Sequence, residues 1–270
     1  MNSLNNQNHK EQFDIYELMI TPPNKKAEMI IREVVKDNPD ISLIKTLIHI
    51  GANMDWHDES GRTPLHWSSY ANNIEIAQEL ILAGANINAQ DVCGHTALFA
   101  TLWAFKCNID MIHFLIEQGI DINLQDSKGE TFLYYASTVR ESSIVKFLLE
   151  RGADPNLVTL SGRSPLHIAT KDTESLIVQS LLEFQAQPNV QDCHYLTPLH
   201  LAIIFDNLEI INMLINAKAD VNLQDEDGDT ALHLAYKMKN QEMIKILLEA
   251  GANPDIYNNS KLTPIEKYIF

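Results

Sequence analysis

Histidine closes a short run of residues that this chain of 270 residues uses repeatedly. The run Gly61-Arg62-Thr63-Pro64-Leu65-His66 returns as Gly162-Arg163-Ser164-Pro165-Leu166-His167, and similar runs end at His200 and His233. An imidazole can transfer a proton near neutral pH or coordinate a metal ion. A zinc site needs several such ligands within about 2 Å of one ion. The chemistry therefore depends on whether the fold brings these histidines together.

The cysteines are the other candidate metal ligands. Cys93, Cys107 and Cys193 show no Cys-x-x-Cys spacing, and although His194 follows Cys193, no third and fourth ligand stand near this pair in the sequence. We therefore expect free thiols, with no disulfide and no zinc site, as is usual in a reducing compartment.

The residue that opens each run recurs with a nearly constant period, in steps of 33, 35, 33, 33, 33 and 33 residues. A second landmark, Gly-Ala-Asn or a close variant, follows each run, and all ten glycines of the chain lie at these two kinds of position. Glycine is thus predicted to serve backbone geometry alone. The opening positions are Gly61, Gly94, Gly129, Gly162, Tyr195, Gly228 and Lys261.

Each period carries the signals of two short helices. Thr or Ser is a common helix N-cap, and the Pro or Ala after it suits the first turn, so a helix of about nine residues is predicted to begin after Thr63. The polar break Ala71-Asn72-Asn73 separates it from Ile74 to Leu82, which has the spacing of an amphipathic helix. The second glycine then ends that helix in the left-handed conformation. Gln185 and Lys218 occupy the same cap, at a cost of about 1 kcal/mol each.

Two short helices cannot bury their apolar side chains alone, whereas stacked pairs form a continuous core. The motif Gly-x-Thr-Pro-Leu-His-x-Ala, the period of 33 residues and Gly-Ala-Asp-x-Asn together resemble the ankyrin repeat over about residues 25 to 270. The resemblance implies an all-α solenoid of stacked helix-turn-helix units with protruding β-turn loops. It also implies that the four histidines are structural, each bonding to its cap and to the adjacent repeat. Packed helical layers lie about 8 to 10 Å apart, so we expect neither a metal site nor a catalytic histidine cluster.

The domain organisation follows from the period. We expect a polar, flexible segment with a short helix at 1–25 and a repeat domain at 26–270. The half repeat at the end either caps the last layer or exposes Tyr268, Ile269 and Phe270 for dimerisation; we expect a cap and a monomer. Within the domain we expect a cap repeat at 26–60, full repeats at about 61–93, 94–128, 129–161, 162–194, 195–227 and 228–260, and a half repeat at 261–270.

Composition and missing motifs exclude several function classes. A formal charge of −16 opposes nucleic-acid binding, which relies on Lys and Arg against phosphates. The N-terminus lacks the apolar region of a secretory signal, and no 18-residue apolar stretch occurs, so we expect a cytoplasmic protein without membrane contact. Phosphate-binding glycine loops, zinc-protease motifs and nucleophile elbows are absent. We therefore expect no catalysis and no cofactor.

The resemblance implies that a protein partner binds the concave surface formed by the loop tips and the exposed sides of the first helices. Interface hot spots are enriched in Trp, Tyr and Arg. The step of 35 residues adds two residues near Phe105, either as a longer connection or as an enlarged contact surface. For any single aromatic residue, an inward position between layers is an equal alternative. The candidate partner-binding residues are Tyr70, Trp103, Phe105, Ile204, Phe205, Met238, Arg62 and Arg163.

Four functional hypotheses remain open. The first is a stand-alone protein-binding module of unknown partner. The second is a secreted effector of an intracellular bacterium or a virus, acting in the host cytosol. The chain has 23 Asn, and 15 Lys against 5 Arg, which is a bias that A/T-rich genomes produce. The third is a substrate of an asparaginyl hydroxylase, because Asn88, Asn123 and Asn222 resemble asparagines that are hydroxylated in animal ankyrin repeats. The fourth is an enzyme with an unfamiliar site.

Overall fold

The chain divides into two compact units, residues 1–120 and 121–270, and the described part of each is built from α-helices. Fifteen helices form within the described residues, where the only β-structure is two isolated bridges. The predicted all-α repeat fold is confirmed. The computed structural model describes residues 15–103, 109–139, 141–171 and 175–266.

After a first single helix, the described helices follow one another in pairs that are joined by short connections. Among the described helices, none has the length and apolar character needed to cross a membrane. The first unit contains α1 (Ile15–Ile20), α2 (Pro23–Val34), α3 (Ile41–His49), α4 (Pro64–Tyr70), α5 (Ile74–Leu82), α6 (Ala97–Trp103) and α7 (Ile109–Glu117). The second unit contains α8 (Phe132–Ala136), α9 (Ser142–Glu150), α10 (Pro165–Ala169), α11 (Ser175–Glu183), α12 (Pro198–Ile204), α13 (Leu208–Asn216), α14 (Ala231–Lys237) and α15 (Gln241–Glu249).

In five of the repeats the first helix is shorter than predicted. Helices α4, α12 and α14 have seven residues, and α8 and α10 have five, where about nine were expected. The polar break after the longer ones contains Asn72, Asp206 and Lys239, whose φ angles are 54°, 57° and 54°. A left-handed residue cannot continue a right-handed helix, so the helix ends before the break rather than within it.

The second helix of each pair has nine residues and ends where the sequence predicts. Asn73 caps α5 by accepting the N–H of Ile76 at 3.0 Å. At the other end, the glycines of the second landmark have φ between 87° and 91°. Gln185 and Lys218 hold the same left-handed position with φ of 64° and 66°. The cap therefore requires left-handed backbone geometry rather than glycine itself, and glycine adopts that geometry at the lowest conformational cost.

Each unit has its own apolar core. In the first unit α2 packs against α3 and α4, and α4 packs against α5 and α6. There Ile30, Ile44, Leu47 and Ile76 have no exposed surface.

In the second unit α12 packs against α10, α13 and α14. Leucines at intervals of 33 residues fill the same place in successive helix pairs, so each repeat extends the core by one layer. These fully buried leucines are Leu148, Leu181, Leu214 and Leu247.

Glycine at the loop turn meets a constraint that glycine at the helix end does not. Gly61 has φ of 79°, and a Cβ on it would lie 2.7 Å from the backbone nitrogen of Val92 in the next loop. Gly84 has φ of 91°, yet a Cβ on it would meet nothing within 4 Å. Both positions need left-handed backbone, but only the turn glycine also lets two loops approach closely.

The ends of the chain depart from the regular repeat. In α2, Lys26 is buried, and its Nζ donates to the carbonyl oxygen of Ile50 at 2.8 Å. Glu266 takes the place of the histidine in the last run, and its Oε2 accepts the N–H of Thr263 at 3.0 Å. The predicted mobility of the first residues and the predicted cap formed by Tyr268, Ile269 and Phe270 fall on residues outside the described ranges.

We expect Gly61→Ala to destabilise the protein more than Gly84→Ala. Both substitutions place alanine in the left-handed region, which costs about 1–2 kcal/mol, but only the alanine at position 61 collides with the neighbouring loop. Urea denaturation followed by circular dichroism measures both changes in the free energy of unfolding. Equal losses would contradict the close approach of the two loops.

Candidate functional site

His66 links its own repeat to the next loop. Its Nδ1 accepts the backbone N–H of Thr63 at 3.1 Å and lies 2.9 Å from Thr63 Oγ1. Because a backbone N–H can only donate, Nδ1 carries no proton, and the neutral ring holds its proton on Nε2. Nε2 then donates to the carbonyl oxygen of His95 at 3.0 Å. Both ring nitrogens are therefore occupied by structural hydrogen bonds.

The same arrangement recurs in the second unit. His167 and His233 each accept the N–H of their own capping residue at 3.1 Å. Their Nε2 atoms donate to the carbonyl oxygens of Leu196 and Leu262 at 3.0 and 3.2 Å. His200 makes the same bond to its cap, and its buried ring interacts with the backbone of Asp229 and Leu223. These histidines each serve one layer and do not meet within a unit at a shared point.

Burial controls the charge of these rings. It lowers the pKa of His66 and His167, against the opposing effect of the hydrogen bonds to the carbonyls of His95 and Leu196. It lowers the pKa of His200 to about 4. These three imidazoles are therefore neutral near pH 7. The hydrogen bonds that these rings form within the fold, rather than a role in proton transfer, explain why histidine stands at these positions.

One group of three side chains within the described residues has metal-ligand geometry, and it is neither the set of repeated histidines nor the pair of Cys193 and His194. The ligand atoms of Asp91, Cys93 and His95 lie within 4.8 Å of one another. Oδ1 of Asp91, however, accepts the N–H groups of Cys93 and His95 at 2.8 and 2.9 Å, which closes the turn. The Nε atom of Arg62 lies 3.6 Å from Asp91 Oδ2, and this guanidinium opposes a second cation. The trio is accounted for by loop structure.

The described cysteines are free thiols. Cys93 and Cys193 are both exposed and unpaired, and Cys107 lies outside the described residues. The neighbour of Cys193, His194, directs Nδ1 to Glu226 Oε2 at 2.9 Å. This carboxylate raises the pKa of His194.

The asparagines proposed as hydroxylation sites join adjacent loops in the second unit. Asn123 Nδ2 donates to the carbonyl oxygen of Gly152 at 3.2 Å, and its Oδ1 accepts the N–H of Asp154 at 2.8 Å. Asn222 makes the corresponding pair of bonds to Gly251 and Asn253. In the first unit, the backbone N–H of Asn88 donates to Asn86 Oδ1 at 3.0 Å. Bonding between loops explains why asparagine recurs at the positions of Asn123 and Asn222, and hydroxylation stays a prediction.

Three of the candidate partner-binding residues come together in the first unit. We define the aromatic patch as Arg62, Trp67, Tyr70, His95 and Trp103. The guanidinium carbon of Arg62 lies 5.0 Å from the ring centre of Trp103 and 5.6 Å from that of Trp67, within cation–π range. Tyr70 meets Trp67 edge to face at 5.9 Å, and His95 meets Trp103 edge to face at 4.9 Å. Trp103 nevertheless remains 37% exposed. Phe105 lies outside the described residues.

The ends of two first helices in the second unit expose apolar side chains. Ile204 and Phe205, at the end of α12, are 41% and 44% exposed. Met238, directly after α14, is 44% exposed. Ile204 and Met238 also line a cavity of about 430 Å³, which we call the acidic pocket because Asp225, Glu226, Asp227 and Asp229 line it as well.

Arg163, like Arg62, is already engaged by a carboxylate of its own chain. Its Nε donates to Oδ2 of Asp192 at 3.1 Å. Burial alone would raise the pKa of Asp192, but N–H donors from His194 and Leu196, together with the Arg163 guanidinium, hold it below its usual value. Arg163 therefore stabilises two neighbouring loops, and any partner would share this guanidinium with Asp192.

Sequence reasoning missed two features of these surfaces. Trp67 was not a candidate, although its Nε1 donates to Asp58 Oδ2 at 3.0 Å and its ring lies beside Arg62. The acidic pocket was also missed, and a visible signal existed: the run Asp225-Glu226-Asp227-Gly228-Asp229 places four carboxylates in five residues. What the sequence could not show is that this run borders apolar helix ends.

The helix pairs, left-handed caps and loop-to-loop bonds define a helical repeat protein. A family model for ankyrin repeats, with three copies of the repeat, matches residues 31–126, 71–159, 100–192 and 166–258. The chain belongs to the ankyrin-repeat family. Among curated proteins, none matches the chain significantly.

We expect acid to destabilise the protein through His200, and His200→Gln to reduce this effect. As the pH falls below about 6.5, the unfolded chain takes up a proton that the folded chain refuses until the pH nears 4. Between pH 7 and 4.5 this difference removes about 2–3 kcal/mol of stability. Urea denaturation at both pH values measures this loss of stability. Glutamine is chosen because its side-chain oxygen can still accept the N–H of the capping residue Thr197.

The exposed residue His57 provides the matched control. His57→Gln should leave the loss between pH 7 and 4.5 unchanged. The assignment of this pH effect to His200 is wrong when His200→Gln shows the same loss as the wild type.

Proposed function

We propose that this protein is a non-catalytic module that binds a partner protein through the loop tips and the C-terminal ends of its first helices. Ankyrin repeats generally mediate protein–protein interaction. The observation that supports this surface is the exposure of Trp103, Ile204, Phe205 and Met238, each 37–44% exposed at or directly after the end of a first helix. Apolar area left in water at equivalent positions of several repeats gains free energy when a partner covers it.

Direct contact among its members distinguishes the aromatic patch of the first unit from other exposed apolar side chains. Leu82 and Leu176 are 74% and 58% exposed on second helices, and scattered apolar residues of this kind are normal on protein surfaces. The aromatic patch instead joins two indoles, a phenol and a guanidinium through direct contacts. Rigid aromatic side chains and arginine are the residue types that dominate binding energies.

The polar side chains most suited to catalysis are already engaged. The Asp91 carboxylate closes a turn, Arg163 pairs with Asp192, and the nitrogens of His66 bond to Thr63 and to the next loop. A catalytic group needs a free lone pair or proton directed towards substrate. A surface for recognition accounts for these residues better than a reaction centre does.

The double variant Trp103→Ala/Phe205→Ala is expected to lose the partner while the fold persists. Truncation of a central aromatic residue in an interface typically costs about 2 kcal/mol or more, which is a loss of affinity of about thirtyfold. Affinity capture followed by mass spectrometry compares the proteins retained by the two chains. Circular dichroism verifies that the helices remain.

The variant Leu82→Ala/Leu176→Ala controls for loss of exposed apolar area on second helices. It should retain the captured partner. If Trp103→Ala/Phe205→Ala retains every protein that the wild type captures, the proposed surface is not the binding surface.

A further inference from the structure

The acidic pocket of the second unit has an apolar part and a carboxylate part. Ile204 ends α12, Leu234 lies within α14 and Met238 directly follows α14, and the neighbouring loops contribute Leu196 and the acidic run at 225–229. Its volume of about 430 Å³ lies within the range of about 300–1,000 Å³ that is usual for ligand pockets. It can therefore accept a long side chain with an apolar stem and a charged end.

Negative charge predominates around this pocket. Four carboxylates line it, against the ammonium of Lys237 and the imidazole of His194. His194 directs Nδ1 to Glu226, while no ion pair connects Lys237 with any carboxylate in the described part of the chain. Charge complementarity thus favours a cationic occupant.

Comparison with two other repeats indicates which cation would suit the Asp225 carboxylate. In two other loops an arginine lies beside an aspartate 29 residues further along the chain: Arg62 beside Asp91, and Arg163 beside Asp192. The residue 29 positions before Asp225 is Leu196. Asp225 therefore faces the pocket without the guanidinium that Asp91 and Asp192 have, and within the described residues it forms no ion pair.

The Asp225 carboxylate is held in place and only partly hydrated. Its Oδ1 accepts the N–H groups of Asp227 at 3.0 Å and Asp229 at 2.8 Å. Burial raises the pKa of Asp225, and the nearby negative charges of Asp229 and Asp227 act in the same direction. An incoming cation would relieve both effects.

We infer that the acidic pocket binds an arginine side chain of the partner protein, with an apolar neighbour of that arginine against Ile204 and Met238. The inference rests on the proposed protein-binding function and names the chemistry that the partner must present. Arginine fits better than lysine because its planar guanidinium binds carboxylates in a fixed geometry. The chain itself places arginine beside two of the equivalent aspartates, Asp91 and Asp192.

A phage library of random heptapeptides, panned on the immobilised full-length chain, provides the probe. We expect arginine to be enriched at one position next to an apolar residue. For a selected peptide, replacement of arginine by citrulline, which keeps the shape and removes the charge, should weaken binding at least about tenfold. Replacement by lysine should weaken binding by a smaller factor, measured by fluorescence anisotropy.

Two variants of the protein, rather than of the peptide, also test the pocket. Leu196→Arg supplies an internal guanidinium to Asp225 and should abolish peptide binding while leaving the urea midpoint unchanged or higher. Asp225→Asn removes the charge but keeps the loop bonds, as Asn258 does in the last loop with the N–H groups of Ser260 and Leu262. On Asp225→Asn, the preference for the arginine peptide over the citrulline peptide should be smaller than on the wild type, because three carboxylates of the pocket remain. Glu242→Gln, on the exposed face of α15, is the matched charge control and should bind like the wild type.

The inference is overturned when panning yields no arginine-dependent peptide, when citrulline or lysine replaces arginine without loss, or when Glu242→Gln weakens binding as much as Asp225→Asn. Failure of the proposed function is a separate result. A captured partner that is lost on Trp103→Ala/Phe205→Ala but kept on Asp225→Asn and Leu196→Arg leaves the protein-binding function intact and removes the arginine site.

Discussion

Each repeat of this protein depends on its neighbour because a pair of helices of five to nine residues cannot bury its own apolar side chains. The hydrogen bond from a capping histidine to a carbonyl oxygen in the next loop is the polar counterpart of this dependence. The same histidine completes the N-cap of its own helix, so one neutral ring orders the start of a helix and joins it to the next layer. Burial keeps the ring neutral, which is the state in which both bonds are possible.

This use of polar groups limits the chemistry that remains available. Aspartates that look like candidate acids close turns by accepting two backbone N–H groups, as Asp91 and Asp225 do. Asparagines such as Asn123 connect loops through both ends of the amide. The side chains that the repeat does not need for its own stability, chiefly those at the ends of the first helices, are therefore the ones that we propose for partner binding.

Irregularity within a regular array marks the residues of functional interest. Trp103, Ile204 and Lys237 occupy corresponding helix ends, yet the first belongs to an aromatic patch and the other two border a carboxylate-lined pocket. Leu196 at a position where two other loops have arginine leaves one aspartate without its internal cation. A repeat makes such departures interpretable, because the neighbouring copies show what the missing contact would have been.

The sequence by itself determined the all-α repeat fold, the left-handed caps and the start of each helix, because these depend on residues close together in the chain. Thr63 with His66 and Ile74 with Leu82 are local signals of this kind. The sequence did not determine where the first helices end. Asn72 and Lys239 have left-handed backbone in the structure, but residues of these types also occur in helices, so their identity does not indicate which conformation they adopt. Only the tertiary structure placed the guanidinium of Arg62 between Trp67 and Trp103, and only it set Asp225 beside apolar helix ends. Those contacts join residues that lie in different repeats, and their distances depend on how the layers pack.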